Sequence, residues 1–414
     1  MDHFGNIKIR GHQYILVLVL LTLLTAFCKK KEEVQLQLRV SLPEVSTFYP
    51  SYNTSPKAPD QTGMGSTAVQ LAAKMHLGWN IGNTMEAEGG ETGWGNPQIT
   101  ESYVKFLKQT GFNSVRLPCA WNWHHLSDSS KAKINPAWLN RVKEVVQYCI
   151  NNDMYVLLNI HWDGGWLDKN INALKKDSVN AKQKALWEQI ATTMRDFDEH
   201  LMFASANEPP AENAEQMVIL NSYHQTFINA VRSTGGKNSY RVLVVQGPGT
   251  DFEKTNNLMN ALPTDQVANR MVVEVHNYTP SQFTILEQDA SWGKMFYYWG
   301  TDHHSTIQPY RNATWGEESE HTRLFGLMKS KFIDKGIPVI LGEYGAYKRG
   351  NSKDVPLDLK MHNASVDYWN NYVTRQAIQF GLKPFFWDTG GALDRRNNKV
   401  LDQRTIDALI AGSK

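Results

Sequence analysis

Cysteine is nearly missing from this chain: three residues in 414. A disulfide framework needs more, so the fold must be held by its core. The two in the body of the chain, Cys119 in "RLPCAW" and Cys149 in "VVQYCI", sit among apolar neighbours and are expected as buried thiols. An excess of one charge is also lacking. Lys and Arg number 43 against 41 Asp and Glu, for a net charge of +2, and no basic stripe emerges. No nucleic-acid partner is therefore expected. The apolar run "YILVLVLLTLLTAF" (14–27) has 14 residues, short of the ~20 of a membrane span. No phosphate-cradling glycine motif is present, because "GWNIGN" lacks the GxGxxG spacing. A zinc-dependent barrel hydrolase usually shows an HxH pair on its first strand, and none is found. His161 with Asp163, or His276, remains a weaker zinc option. The pairs His124-His125 and His303-His304 lie in polar loops and read as solvated surface. Neither a cofactor nor a metal is expected.

What is present has ordinary globular composition, 41% hydrophobic and 20% charged. The length suits one large α/β domain or two smaller ones. Lys8 and Arg10 precede the short apolar run and Cys28 follows it, the order of a secretory signal. "LTAFC" resembles a bacterial lipobox, and "KKKEE" resembles the charged tract behind many lipoprotein cysteines. Residues 1–28 are therefore expected as a lipoprotein signal segment, with a simple cleaved signal as the alternative. One lipid-bearing terminus anchors a protein without spanning the membrane. The expected location is extracytoplasmic, at the cell surface or outer membrane or secreted. Residues 29–62, charged and then rich in Ser, Thr, Pro and Tyr, read as a flexible tether.

From about Gly63 the texture changes. Short apolar runs alternate with amphipathic ones, eight times. The apolar runs occupy 77–83, 114–118, 154–161, 201–208, 241–247, 271–278, 338–345 and 383–390. Several are β-branched and continuously apolar, as strands covered on both faces should be. The intervening patterns carry helix signals: Pro136 in a first turn, Gly111 at a stop. A short candidate follows the fifth run (252–262), and "QRTIDALIAG" closes the chain. Eight βα units over about 350 residues predict a single (β/α)8 TIM barrel over 63–414. A doubly wound open sheet is the alternative.

A barrel places function at the C-terminal ends of its strands. Those ends read Asn80 and Asn83; Arg116; Asn159 and His161; Asn207 and Glu208; Gln246; His276 and Tyr278; Glu343 and Tyr344; Trp387 and Asp388. Helix capping explains one or two such residues, not a polar turn at almost every strand. Two acids in an aromatic-rich cleft without a cofactor signature point to glycoside hydrolysis, which needs a proton donor and a nucleophile.

"LGWNIGNTMEA", "WGNP", "VRLPCAW", "ASANEPP", "EVHNYTP", "ILGEYG" and "FFWDTGG", in this order, resemble the motifs of glycoside hydrolase family 5, a family of retaining barrel enzymes with acids on strands four and seven. The resemblance runs from about residue 64 to the end. It implies Glu208 as acid/base and Glu343 as nucleophile. It implies that Arg116 and Tyr278 support the nucleophile and that His276 lines the acid/base side. It implies Asn207 on the sugar 2-hydroxyl, His161 as the histidine after strand three, and Trp387 as the floor under the −1 sugar. Many relatives read His-His where this chain reads His161-Trp162, so the second histidine's role is absent or altered. Asn83 is a candidate substrate ligand that could instead cap a turn. Trp79 reads as core.

The long segment after strand six contains Trp292, Phe296, Tyr297, Tyr298, Trp299 and Trp315, and Trp166 follows strand three. These residues could stack on sugars or pack the loop itself. The expected enzyme is a monomeric endo-acting β-1,4-glucanase on cellulose-type, mixed-linkage or xyloglucan polymers. Alternatives are a β-mannanase or glucomannanase of the same fold, a surface glycan-binding lipoprotein without turnover, and a metal-dependent barrel hydrolase.

Overall fold

Eight parallel strands hydrogen-bond to one another in chain order and close into a barrel. They are β1 (Gly78–Ile81), β2 (Ser114–Leu117), β3 (Tyr155–Asn159), β4 (Leu201–Ala204), β5 (Leu243–Gln246), β6 (Met271–Asn277), β7 (Val339–Tyr344) and β8 (Lys383–Asp388). Eight helices follow them in turn: α1 (Glu101–Thr110), α2 (Pro136–Asn151), α3 (Lys176–Met194), α4 (Ala214–Ser233), α5 (Phe252–Leu258), α6 (Glu318–Lys331), α7 (Leu359–Phe380) and α8 (Gln403–Gly412). This is the expected (β/α)8 barrel. The computed structural model describes residues 48–350 and 354–414. The expected signal, Cys28 and residues 29–47 of the expected tether lie outside the described residues.

Local chemistry sets the helix ends. Asn135 caps α2 by accepting from the Ala137 N–H at 2.9 Å, with Pro136 in the first turn. Gly111 ends α1 at φ 112°, a left-handed conformation that costs glycine nothing. Cys119 and Cys149 are buried and free. Among the described residues, no helix is long and apolar enough to cross a membrane.

Strand periodicity sorts the side chains into layers. On β6, Val273 and Val275 pack outward against the helices, while Val272, Glu274 and His276 turn inward. The lowest inward layer is apolar: Leu157, Met202, Val244, Val272, Ile340 and Phe385. A short helix, Ala68–Lys74, closes the barrel beneath it with Ala68, Leu71 and Ala72. Above this plug the inward positions become polar, and that change of layer creates the site.

One domain boundary moves. Residues 48–62 fell within the expected tether, yet they lie against the barrel. Tyr52 N–H donates to the Glu188 carboxylate at 2.6 Å, and Ser51 Oγ donates to it at 3.1 Å. Lys57–Pro59 pairs in parallel with Gly235–Gly236. The buried Glu188 on α3 demands donors, and this segment supplies them. Residues 48–62 therefore belong to the compact unit Phe48–Lys414.

Candidate active site

A bulge in β7 brings its acid to the mouth. Val275 pairs with Leu341, but His276 pairs with Glu343, so one residue is extra. The register against β8 slips over the same stretch. Ile340 faces the barrel interior and Leu341 faces out. Gly342 then faces in beside Glu274, and Glu343 faces in again, where strict alternation would have sent it outward. Glycine is required at 342, because a Cβ there would meet Glu274 Oε1 at 2.0 Å.

Arg116, fully buried on β2, organises what surrounds Glu343. Its Nη1 donates to Glu343 Oε1 at 2.7 Å and to Asn80 Oδ1 at 3.1 Å. Its Nη2 donates to Asn207 Oδ1 at 2.8 Å. Its Nε lies 2.8 Å from Glu274 Oε1. A planar fork can serve these groups at once, which an ammonium could not. Burial works against its charge, but Glu274 and Glu343 outweigh that and raise its pKa further. Tyr278 donates to the other Glu343 oxygen at 3.0 Å. Burial and the charges of Glu343 and Glu208 push the phenol well up, so it stays a donor.

His276 joins the two acids. Its Nδ1 lies 2.7 Å from Glu208 Oε1 and 3.8 Å from Glu343 Oε2, and its Nε2 lies 3.1 Å from Glu274 Oε1. Burial disfavours charge on the ring, but the Glu343 charge and the bonds to Glu208 and Glu274 outweigh it and raise His276 to about 9. Burial also pushes Glu208 up. His276 and Arg116 outweigh it and hold Glu208 below the ordinary carboxyl value in the resting protein. The Glu208 side chain is 44% exposed and that of Glu343 7%. An oxygen of each comes within 4.8 Å of the other. The trio Glu208, His276 and Glu343 is close enough to surround a cation, but its donor atoms are engaged with one another, Arg116 and Tyr278.

The remaining expected residues divide. Asn207 stands beside Glu208 with its amide oxygen on Arg116. His161 lies parallel to Trp387, ring centres 5.8 Å apart at 8°. Burial, then the charges of Arg116 and His276, push His161 well down, so it is neutral. Gly82 leaves space for the Trp387 ring, which a Cβ would meet at 2.9 Å. Asn83 occupies a left-handed turn at φ 57°. Its N–H donates to Glu86 and its carbonyl accepts from Asn96, so the backbone rather than a bond of the side chain explains its place. Two strand ends do not face the mouth. The Tyr344 hydroxyl bonds Thr374 on α7, and Asp388 ties the turn at Gly390–Ala392 and pairs with Arg395. Trp79 is core. In the long loop Phe296, Tyr297, Tyr298 and Trp299 are buried and pack the loop, while Trp292 and Trp315 are exposed.

Three features escaped the sequence reading. The first is Glu274, fully buried, with Gln246 Nε2 donating to it at 2.5 Å as well. Its signal was a lone acid inside an apolar strand. The second is Asp163, whose carboxylate accepts the N–H groups of Trp121, Asn122 and Trp123 at 3.0, 2.8 and 2.7 Å and Trp166 Nε1 at 3.0 Å. This clamp joins the loops after β2 and β3, so the weaker zinc reading of Asp163 is replaced by a structural one. It also seats the third feature, Trp123 against Trp162, ring centres 4.4 Å apart. Trp162 replaces the second histidine of the family pattern with an exposed aromatic wall.

A buried carboxylate held by an arginine and a phenol, facing a half-exposed carboxyl held by a histidine, is suited to attack and proton transfer on one bond. The Cellulase (glycosyl hydrolase family 5) profile matches residues 80–392. The chain is 35% identical over 381 residues to a xyloglucan-specific endo-β-1,4-glucanase of Bacteroides ovatus, covering 86% of this chain and 72% of that one. Its structure is similar to a xyloglucan-specific β-1,4-glucanase from a ruminal metagenomic library in complex with XXLG, with TM-score 0.77, 40% identity, and 84% and 96% of the two chains covered. It is also similar to a broad-specificity endoglucanase of Bacteroides salanitronis, with TM-score 0.73, 32% identity, and 86% and 98% covered.

Proposed function

The chain belongs to glycosyl hydrolase family 5 and is an endoglucanase-type glycoside hydrolase, and from that premise we propose that it cleaves β-1,4-glucan chains by double displacement, with xyloglucan as its main substrate. Glu343 attacks the anomeric carbon while Glu208 protonates the leaving oxygen. Glu208, as its carboxylate, then takes a proton from the water that releases the sugar from Glu343. The observation that carries this reading is the close approach of the two carboxyls, within 4.8 Å at their nearest donor atoms. A separation on this scale leaves no space for the water that an inverting enzyme places between its acids. Arg116 and Tyr278 fix Glu343 for attack, and Asn207 is oriented toward the sugar 2-hydroxyl. A bound chain covers Glu208, and loss of water favours the protonated acid that the first step needs.

Xyloglucan is favoured by the two relatives described as xyloglucan-specific. The Trp123–Trp162 wall offers aromatic faces beside the cleft for a branched chain. The second reading is broad action on unbranched β-1,4-glucans, which the Bacteroides salanitronis relative supports. Xyloglucan, carboxymethylcellulose, lichenan, glucomannan and mannan, assayed in parallel with product sizing, test the assignment. A kcat/KM on xyloglucan well above the others supports it, equal rates support the broad reading, and a preference for mannan overturns both. The amino-terminal sequence also supports transport out of the cytoplasm and a lipid on Cys28. Incorporation of labelled fatty acid, lost in Cys28→Ala, tests that.

A further inference from the structure

Double displacement between Glu208 and Glu343 makes no direct use of Glu274, although this acid has no exposure to solvent and lies directly beneath the reacting groups. A buried carboxylate is costly unless its charge is matched. Glu274 meets Arg116 Nε at 2.8 Å, His276 Nε2 at 3.1 Å and Gln246 Nε2 at 2.5 Å, and Gly342 leaves the space it occupies.

Charge balance gives it a task. The catalytic form has Glu343 ionised, Glu208 protonated and Arg116 positive. With Glu274 ionised, His276 can also be positive and the group is neutral. Acceptors flank both ring nitrogens, Glu208 at 2.7 Å and Glu274 at 3.1 Å, which is the arrangement a doubly protonated imidazole satisfies. With a neutral residue at 274, a positive His276 would leave the buried group with an unmatched charge. The ring would then lose a proton, and a bare Nδ1 facing Glu208 Oε1 would draw the acid's proton toward itself.

We propose that Glu274 is a positioning residue for the acid: its buried charge keeps His276 doubly protonated, so that Nδ1–H donates to one Glu208 oxygen and the acid's own proton is free to face the leaving oxygen. The inference rests on the reading of Glu208 as the acid. During the first step that proton passes from Glu208 to the glycosidic oxygen as the C–O bond breaks and Glu343 bonds the anomeric carbon; His276 neither gains nor loses one. The groups facing His276 are Arg116 from β2, neutral His161 after β3, Glu208 after β4, Glu274 from β6 and Glu343 from β7, with Tyr278, just past β6, bonded to the same Glu343.

The test compares the intact protein with Glu274→Gln and Glu274→Asp on one soluble xyloglucan oligosaccharide. In the active form the His276–Glu208 pair carries one proton more on each partner than neutral imidazole and carboxylate would, and removing a nearby negative charge makes losing either easier. The basic limb of kcat/KM in Glu274→Gln should move down by roughly one pH unit or more, and kcat at the optimum should fall roughly 10- to 100-fold with KM nearly unchanged. Glu274→Asp, which keeps the charge, should return the limb toward its original position. A limb that stays in place in Glu274→Gln overturns the proposal, even if activity falls, because packing damage alone would not move it. Nitrogen NMR of His276 in the resting unaltered protein serves even if the variants do not fold. Both ring nitrogens should be protonated at the pH of maximal activity, and a neutral ring overturns the proposal. Failure of the unaltered protein to cleave any β-1,4-glucan would instead count against the reading under Proposed function, and the NMR result would stand apart from it.

Discussion

Glu208 and Glu343 stand 135 positions apart in the chain and come within 4.8 Å of each other at the barrel mouth. Barrel closure brings β4 and β7 to one rim, and the bulge at Gly342 turns the second acid inward. The two carboxyls differ in surroundings, one half exposed against a histidine and one buried against an arginine and a tyrosine. That difference suits them to the two separate roles proposed above.

Glu343→Gln keeps the size of the side chain and removes the proposed nucleophile. Hydrolysis of xyloglucan should fall by about four orders of magnitude. Binding of the same polysaccharide, measured by affinity electrophoresis, should persist. Residual turnover within tenfold of the parent would assign the attack to another group.

Glu208→Ala removes the proposed acid and base but leaves Glu343 in place. Activity on polysaccharide should drop roughly 10²- to 10⁴-fold. A substrate with a nitrophenolate leaving group needs no proton in the first step, so its burst of released phenolate should survive and later turnover should slow. Equal loss on both substrates would contradict the acid role.

The pH profile carries a signed prediction. Burial raises Glu208, yet His276 and Arg116 hold it below the ordinary value while the cleft is open. Substrate covers a side chain that is 44% exposed, and removing water raises a carboxyl pKa. The basic limb of kcat, which reports the complex, should therefore lie at higher pH than that of kcat/KM, which reports the free enzyme. Coincident limbs would show that substrate does not desolvate the acid.

Gly342→Ala should disturb the layer beneath the acids. The new methyl group would lie 2.0 Å from Glu274 Oε1, and Glu274 cannot move without leaving Arg116. A loss of roughly 1–3 kcal/mol in urea unfolding is expected, with reduced activity. Stability within a few tenths of the parent would mean that the strand relaxes around the added group.

Trp162→Ala tests the aromatic wall. KM on xyloglucan should rise roughly tenfold, about 1.4 kcal/mol, with kcat nearly kept. Trp292→Ala, on an exposed residue of the long loop, serves as a comparison. An unchanged KM in Trp162→Ala would remove the wall from the binding surface.

Much of this was legible from strand texture. Apolar runs that each turn polar at one end announce a barrel with a single functional rim, and Glu208, Arg116, His276, Tyr278 and Glu343 meet there. Tyr344 and Asp388 satisfied the same pattern but point outward, because alternation, not position at a strand end, decides which face a residue takes. The bulge at Gly342 could not be seen, since an extra residue in one strand leaves no mark in hydrophobic periodicity. Glu274 was visible only as a single acid within "VVEVH". Its meaning depends on Arg116 and Gln246, which other strands supply. Residues 48–62 lacked any period and so read as a tether, but their backbone donors complete Glu188, a contact more than 130 positions away in the chain.

The covalent step is the most direct point of attack on the account. A 2-deoxy-2-fluoro xyloglucan oligosaccharide with a good leaving group should form a stable ester, and peptide mapping by mass spectrometry should place the added mass on Glu343. The first sugar released from ordinary substrate should carry the β configuration. A label on a different residue, or an α product, would contradict the double displacement between Glu208 and Glu343.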